Sequence, residues 1–354
     1  LYKVFETPIR RLEKIESHDA FKAASARAKE LRRELALAEG CSVKTIFADF
    51  AKLYPERFTN VTNGVTPRRW LMQANPGLSA FIDAQIGDGW RGDADQLAKL
   101  AKRSHLKTVQ SAFTKTKRAN KERLSALVRR ELGIVIDPAS LFDVHIKRIH
   151  EYKRQLLNLL HVVARYQAIV AHPHALHGKE WVPRTIIFAG KAASAYQTAK
   201  SIVNLMHDVA RVVNSDPRVG DKLKLVFLPN YSVSLAEVIL PAADLSEQIS
   251  TAGTEASGTG NMKFALNGAI TIGTWDGANI EMAQAMGEDN MFVFGLRADA
   301  VAKTKELGYD ARLYVEENAQ LKAVLDAIAH GDFSPGEPER YRGLIDGLQN
   351  RDTY

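Results

Sequence analysis

The chain has 354 residues, 45% of them hydrophobic and 25% charged, which is the balance of a globular protein with room for two ordinary domains or one large α/β domain carrying extra helices. The formal charge of +7 raises nucleic acid as a partner, but the basic residues are dispersed and lack the interleaved aromatics of a single-strand binder, so a phosphate-handling enzyme fits that charge equally well. The single cysteine, Cys41, excludes an internal disulfide framework, and no apolar run approaches the length of a membrane span or a signal peptide, so a cytoplasmic location is expected.

Residues 1–40 are rich in Ala, Lys, Arg and Glu, and Phe21–Leu37 reads as a helix with Leu31, Leu35 and Ala38 at or just beyond helical spacing. Its charges read as a solvated face, and the clearest shift in composition comes near residue 40. Phe47, Phe50 and Leu53 then suggest one short helix. The stretch Asn60-Val-Thr-Asn-Gly-Val-Thr-Pro-Arg-Arg-Trp70 is polar and turn-rich, with Asn63-Gly64 as a tight-turn pair and Thr66-Pro67 as a helix start. Asp93 to Leu132 reads as one or two exposed helices.

From Leu141 the pattern becomes α/β. Five short apolar segments read as strands: Leu141–Ile146, Arg184 to about Gly190, Lys222–Leu228, Ala269–Thr274 and Asn290–Gly295. Helices are expected at Leu156–Val170 and Ala192–Val213, and further helices over 299–349 around a Pro/Gly turn at 334–338. Alternation of this kind predicts a doubly wound parallel sheet with its ligand site at the carboxyl ends of the strands. Lys147, Arg148, Lys191 and Tyr231 fall at those ends.

The stretch with the most chemistry is Glu255-Ala-Ser-Gly-Thr-Gly-Asn-Met-Lys263, a glycine-containing turn leading into a short apolar helix. Helix N-termini present unpaired N–H groups and hold anions, phosphate above all, and Gly258 and Gly260 allow close backbone approach. Such a fragment also occurs as a plain turn before a helix. A P-loop would carry Ser or Thr directly after its lysine and the lysine directly after the last glycine, whereas here Asn261-Met262 intervene and Phe264 follows. Lys263 has two open roles: pairing with an anion, or, desolvated beside other cations, acting as an amine nucleophile toward an aldehyde cofactor. Arg148 and Lys153, five residues apart, form a second cationic cluster suited to phosphate, though a bare charge run also reads as a solvated face.

Four collinear motifs make a specific match. Val61-Thr-Asn-Gly-Val-Thr-Pro-Arg-Arg-Trp70, Lys147-Arg-Ile-His-Glu-Tyr-Lys-Arg-Gln155, Pro241-Ala-Ala-Asp-Leu-Ser-Glu-Gln-Ile-Ser250, and Glu255–Lys263 with Thr274-Trp-Asp-Gly-Ala-Asn-Ile-Glu281 resemble the α-glucan (glycogen, starch or maltodextrin) phosphorylases from about Thr45 onward. The resemblance implies the Rossmann-like C-terminal domain of a glycosyltransferase-B enzyme over 41–354, with 1–40 as a helical extension outside the family pattern. It implies a pyridoxal 5′-phosphate enzyme that removes glucose from an α-1,4-glucan end as glucose 1-phosphate, with inorganic phosphate as the acceptor. Lys263 matches the Schiff-base lysine. Thr259, Gly260 and Lys147 match positions around the cofactor phosphate, and Trp70 and Tyr231 match positions lining its pocket. Arg148 and Lys153 match the residues holding the substrate phosphate, and with Lys263 they are the expected catalytic residues. Asn63, Tyr152, Glu255, Ser257 and Gly258 match positions that bind the transferred glucose.

In that family the cofactor's phosphate, rather than its ring, does the chemistry, and the family's full-length chain is expected to be a homodimer. No metal, nucleic acid or membrane partner is expected. The family chain is longer, with an N-terminal domain that closes the cleft and brings a Gly-rich phosphate loop; neither is found here, and with a first residue Leu1 in place of Met the sequence is expected to be a fragment that also stops short of the family's final helices. A non-catalytic remnant that keeps cofactor or glucan affinity, and a nucleotide-sugar glycosyltransferase of the same architecture, are the competing expectations.

Overall fold

The computed structural model describes residues 47–57 and 62–352. The helix expected at 21–37, the extension 1–40 and Cys41 lie outside the described residues. The described chain falls into two units. The smaller holds the short helix Ala48–Leu53, a single turn at Pro55–Arg57, and Thr254–Ala256. The larger, Thr62–Gly253 with Ser257 onward, holds everything below.

Its centre is a six-stranded parallel sheet, and five of its strands fall where the apolar segments predict them. β1 is Leu141–Ile146, β4 Arg184–Ala189, β5 Leu223–Leu228, β7 Ile270–Thr274 and β8 Phe292–Phe294. The sixth, β6 (Leu245–Gln248), is not among the sequence-predicted strands and lies in the middle of the sheet, in the order β5-β4-β1-β6-β7-β8. Its sequence, Leu-Ser-Glu-Gln, lacks apolar alternation, yet all four residues are buried. The polar side chains are satisfied locally. Gln248 donates to Ser246 Oγ at 2.9 Å. Glu247 is held protonated, well above the usual carboxylate range, by burial and by the neighbouring Asp143. Asp143 in turn pairs with Arg184 at 3.2 Å. A two-residue hairpin of β2 (Ala175–Leu176) and β3 (Lys179–Glu180) is a further addition.

The chain fills the sheet outward from β1 through β4 to β5, then returns to β6 and fills outward through β7 to β8. Helices Gln155–Ala171 and Gln197–Ser215 cover one face, burying Leu159, Val162, Val163, Ile202, Leu205 and Val209 in one core. On the other face Phe142, Val144, Ile187, Val226 and Phe264 pack with Trp70 and with Leu124 and Val128 of the long helix Lys107–Leu132. That helix is therefore not simply exposed, as its charge-rich sequence suggests, and it even buries Lys117 and Lys121. Later helices run from Ala298–Glu306 to Arg342–Asn350.

Two other expectations shift. The second crossover helix begins at Gln197 rather than Ala192, because the loop before it is spent on close contacts with the end of β1. There Ile149 N donates to Lys191 O at 3.1 Å and Glu151 N donates to the Tyr196 hydroxyl at 3.2 Å. Asn63-Gly64 makes no turn; the Asn63 N–H instead donates to Ser257 Oγ at 3.1 Å.

Gly190 is dictated by packing, since a Cβ there would lie 2.0 Å from Lys147 O. Gly190→Ala is expected to cost at least about 3 kcal/mol in urea unfolding, whereas Gly64→Ala, with nothing within 4 Å of the added carbon, should change it by less than about 1 kcal/mol. A raised Glu247 pKa means that the folded state holds a proton the unfolded chain releases. Its contribution is complete below the unfolded value and is lost as pH rises toward the folded one. Glu247→Gln, which keeps a donor without the titration, should remove that fall, seen as a flatter urea midpoint as pH rises above the ordinary glutamate value of about 4.3.

Candidate active site

Reversal of strand order opens a crevice between β1 and β6 at their carboxyl ends, the place where open α/β sheets bind ligands. Two loops of the larger unit enter it, 147–154 after β1 and, after β6, 249–253 with 257–259. They are laced together. Arg154 adopts the left-handed conformation (φ 57°) and donates through Nε to Ile249 O at 2.7 Å, while Thr251 N donates to Tyr152 O at 3.1 Å. The first loop is also clamped to β4, because Lys147 N donates to Ala189 O at 3.0 Å and extends the ladder.

The clamp fixes the cationic residues. Lys147 is half-buried at the end of β1, Arg148 exposed, and Lys153 half-buried. Tyr152 is buried; its hydroxyl accepts from Lys153 Nζ, which lies 4.4 Å from the ring centroid. The charges of Lys147 and Lys153 reach the interior: His145 on β1 is wholly buried and held neutral, first by desolvation and then by these two lysines. Its neutrality keeps a further positive charge out of the sheet beneath the loop.

The second loop is shaped by Asp276, which follows β7. Its Oδ2 accepts from Ser250 Oγ and its Oδ1 from Gly253 N at 2.9 Å. Asn279 donates to Gln248 O at 2.9 Å and Thr274 O at 3.1 Å, and accepts from Asn261 Nδ2 at 2.9 Å, joining β6, β7 and the helix that bears Lys263. Buried Ser257 accepts from Asn63 N, and Ala278 N donates to Ser257 O at 2.7 Å. Gly258 has φ 74°, a conformation that favours glycine, whereas a Cβ on Gly260 would meet only Gln248 Nε2 at 3.8 Å. Thr259 precedes the seven-residue helix Gly260–Leu266, its side chain making no cap bond.

Lys263, fourth in that helix, is half-buried with Nζ 4.2 Å from the centroid of the Trp70 ring. Desolvation lowers its pKa, which favours the free amine. Trp70 stands on a wide helical turn closed by an i→i−5 bond, Ala74 N to Arg69 O at 3.0 Å. Tyr231, beyond β5, packs on the same core cluster as Trp70 and Phe264, and burial pushes its phenol up to about 12.

The structure thus brings Lys263 onto Trp70, Asn63 onto Ser257, and Lys153 onto Tyr152, with Tyr231 at the edge of the Trp70 cluster. Glu255, half-buried, belongs to the smaller unit. The local sequence does not mark the supporting residues Asp276, Asn279 and Asn267. Asp276 and Asn279 sit inside the quoted motif 274–281, where a buried polar residue right after a strand was the available signal. Among the described residues, no group of His, Cys, Asp or Glu could hold a metal ion, and no helix is long and apolar enough to cross a membrane.

Competitive labelling of the chain with an acylating reagent across pH checks the desolvated amine. The Lys263 midpoint should fall below the ordinary lysine value of about 10.4, and a midpoint at or above that value would contradict the burial seen here.

Comparison with known proteins shows the family. The family model described as carbohydrate phosphorylase matches residues 36–354. Glycogen phosphorylase of Haemophilus influenzae is 54% identical over 312 residues, covering 88% of this chain and 38% of the relative. The human liver form is 52% identical over 313 residues, covering 88% of this chain and 36% of the relative. The bovine muscle form is 50% identical over 311 residues with the same two coverages, so the chain spans little more than a third of the length of the curated relatives it matches. On a family match over most of its length, the chain belongs to the carbohydrate phosphorylases.

Proposed function

We propose that this chain is the cofactor-carrying part of an α-glucan phosphorylase, which cleaves terminal α-1,4-glucosidic bonds with inorganic phosphate and releases glucose 1-phosphate. The observation that carries the reading is the half-buried Lys263 amine, resting on Trp70 from the helix that follows the loop after β6. Pyridoxal 5′-phosphate fits the donor set. Lys263 is an amine of lowered pKa suited to an aldehyde, the Trp70 indole and Tyr231 offer an apolar wall to a pyridine ring, and Lys147, Thr259 and Gly260 are polar or backbone partners for its phosphate. Bound there, the cofactor would supply a phosphate monoester with a second pKa of about 6, suited to passing a proton at neutral pH.

The chain's own residues would do the rest. Arg148 and Lys153 would hold inorganic phosphate, the first by a planar fork and the second as a point charge whose ammonium is already oriented by the Tyr152 hydroxyl. Asn63, Tyr152, Ser257 and Gly258 would bind the transferred glucose, Ser257 with its hydroxyl already fixed by the Asn63 N–H. In the reaction the C1–O bond to the glucan breaks and a C1–O bond to phosphate forms, with retention. The departing 4-hydroxyl takes a proton from inorganic phosphate. Positive charge at C1 is offset by the phosphate dianion that Arg148 and Lys153 hold in place. A cytoplasmic setting accords with glucan and phosphate as substrates.

One fact favours a second reading. A chain spanning 36% to 38% of its relatives could keep the cofactor and glucose contacts as a binding remnant without turnover. Incubation with pyridoxal 5′-phosphate, borohydride reduction and peptide mapping is expected to place the label on Lys263, and glucose 1-phosphate release from maltoheptaose and phosphate is then expected from the loaded chain. A label on another lysine would overturn the cofactor site. A label on Lys263 without release would leave the remnant as the correct reading of this polypeptide.

A further inference from the structure

We infer that Lys117 is a positioning residue for Lys263, holding the carboxyl end of the helix that bears it and, through Asn267, the indole on which its amine rests. Lys117 projects from the middle of Lys107–Leu132 into the core and is only 9% exposed. Its Nζ donates to Ala243 O at 2.7 Å and to Asn267 O at 2.9 Å. Both carbonyls sit just past helix ends. Ala243 follows Val233–Ala242, and Asn267 follows Gly260–Leu266. Helices leave their last carbonyls unpaired and carry partial negative charge there, so one ammonium serves two negative ends at once.

Asn267 passes that anchor on. It is wholly buried, and its Nδ2 donates to Trp70 O at 2.7 Å and to Lys263 O at 2.9 Å. Its Oδ1 accepts from Asn75 Nδ2 at 3.0 Å, and Asn75 caps the helix Pro76–Ile86 by accepting from Leu78 N at 3.1 Å. One side chain therefore ties the backbone of the amine-bearing residue to the backbone of the ring beneath it, and Lys117 fixes the main chain of that same residue. The Lys263–Trp70 spacing of 4.2 Å is set through this link.

A buried ammonium is costly, which is why a purely packing role fits Lys117 poorly. Burial pushes it down to about 8, with Asp244 opposing the shift and Lys121 adding to it. A methionine would fill the same space without that cost. Lys121, one turn on, has a different task. It pairs with Asp244 at 2.6 Å and donates to Ser140 O at 2.7 Å, fixing the start of β1 beside β6.

This inference deepens the proposed function, and its test separates the two. Lys117→Met is compared with Leu124→Ala, which opens a cavity in the same helix and core without touching Asn267. Competitive labelling of Lys263 is measured on each chain with no ligand added, and affinity for pyridoxal 5′-phosphate is measured separately. Lys117→Met should move the Lys263 midpoint toward the ordinary lysine value and weaken cofactor affinity by about tenfold, as losing a supporting residue does elsewhere, while Leu124→Ala leaves both near wild type. Asn267→Ser keeps the main-chain partner of Lys117 and removes the bridge, and it should shift the midpoint in the same direction; it carries the test if Lys117→Met does not fold. A midpoint unchanged in the lysine and asparagine variants, or shifted equally in Leu124→Ala, would overturn the inference. Absence of cofactor binding by the wild-type chain would count against the proposed function alone, because the labelling comparison needs no cofactor.

Discussion

Everything at the site depends on one seam, where β1 and β6 lie side by side and the chain leaves them in opposite directions. No crossover helix covers the carboxyl ends at such a seam, so two loops must form the floor of the crevice themselves. Their backbones carry polar groups that would be costly to leave unpaired. Arg154 to Ile249 O and Thr251 N to Tyr152 O satisfy some of them across the seam. The bond from Arg154 is charge-assisted and worth about 1.5–3 kcal/mol. The left-handed turn at Arg154 follows from the same need, since the chain must reverse at once to start the helix Gln155–Ala171.

A second layer of polar side chains, buried behind the loops, makes the seam rigid. Asp276, Asn279, Asn261 and Asn267 each join two or more elements, and none is on the surface. Groups like these are expensive unless fully partnered, and they specify one arrangement when they are. That trade suits an active site, where a lysine amine must stay desolvated and still within reach. The same logic explains His145 and Glu247, whose neutral forms burial favours inside the sheet.

Much of this was legible in the sequence. The apolar strands β1, β4, β5 and β7 announce themselves by β-branched and aromatic runs, and their alternation with helices gives the doubly wound sheet. The loop residues Lys147, Arg148 and Tyr231 could be placed at strand ends because the strands were. β6 escaped because Leu245-Ser-Glu-Gln248 reads as a loop; its burial is enforced by neighbours on both sides, which no local pattern reports. Asn63-Gly64 misled for the opposite reason, since its turn preference is overridden by the bond to Ser257, 194 residues away. Lys117 and Asn267 were silent because a lysine in a charge-rich helix and an asparagine before a glycine have ordinary local explanations. Only the packing of Lys107–Leu132 against the sheet shows what they hold.

On the proposed function, the two loops and the Lys263 helix would make a single site for a phosphate-bearing aldehyde. A crystal structure of the chain grown with pyridoxal 5′-phosphate tests it most directly. Electron density continuous with Lys263 Nζ is expected, with the ring against Trp70 and the phosphate beside Thr259, Gly260 and Lys147. Density on a different lysine, or a phosphate bound away from the β1–β6 seam, would contradict it.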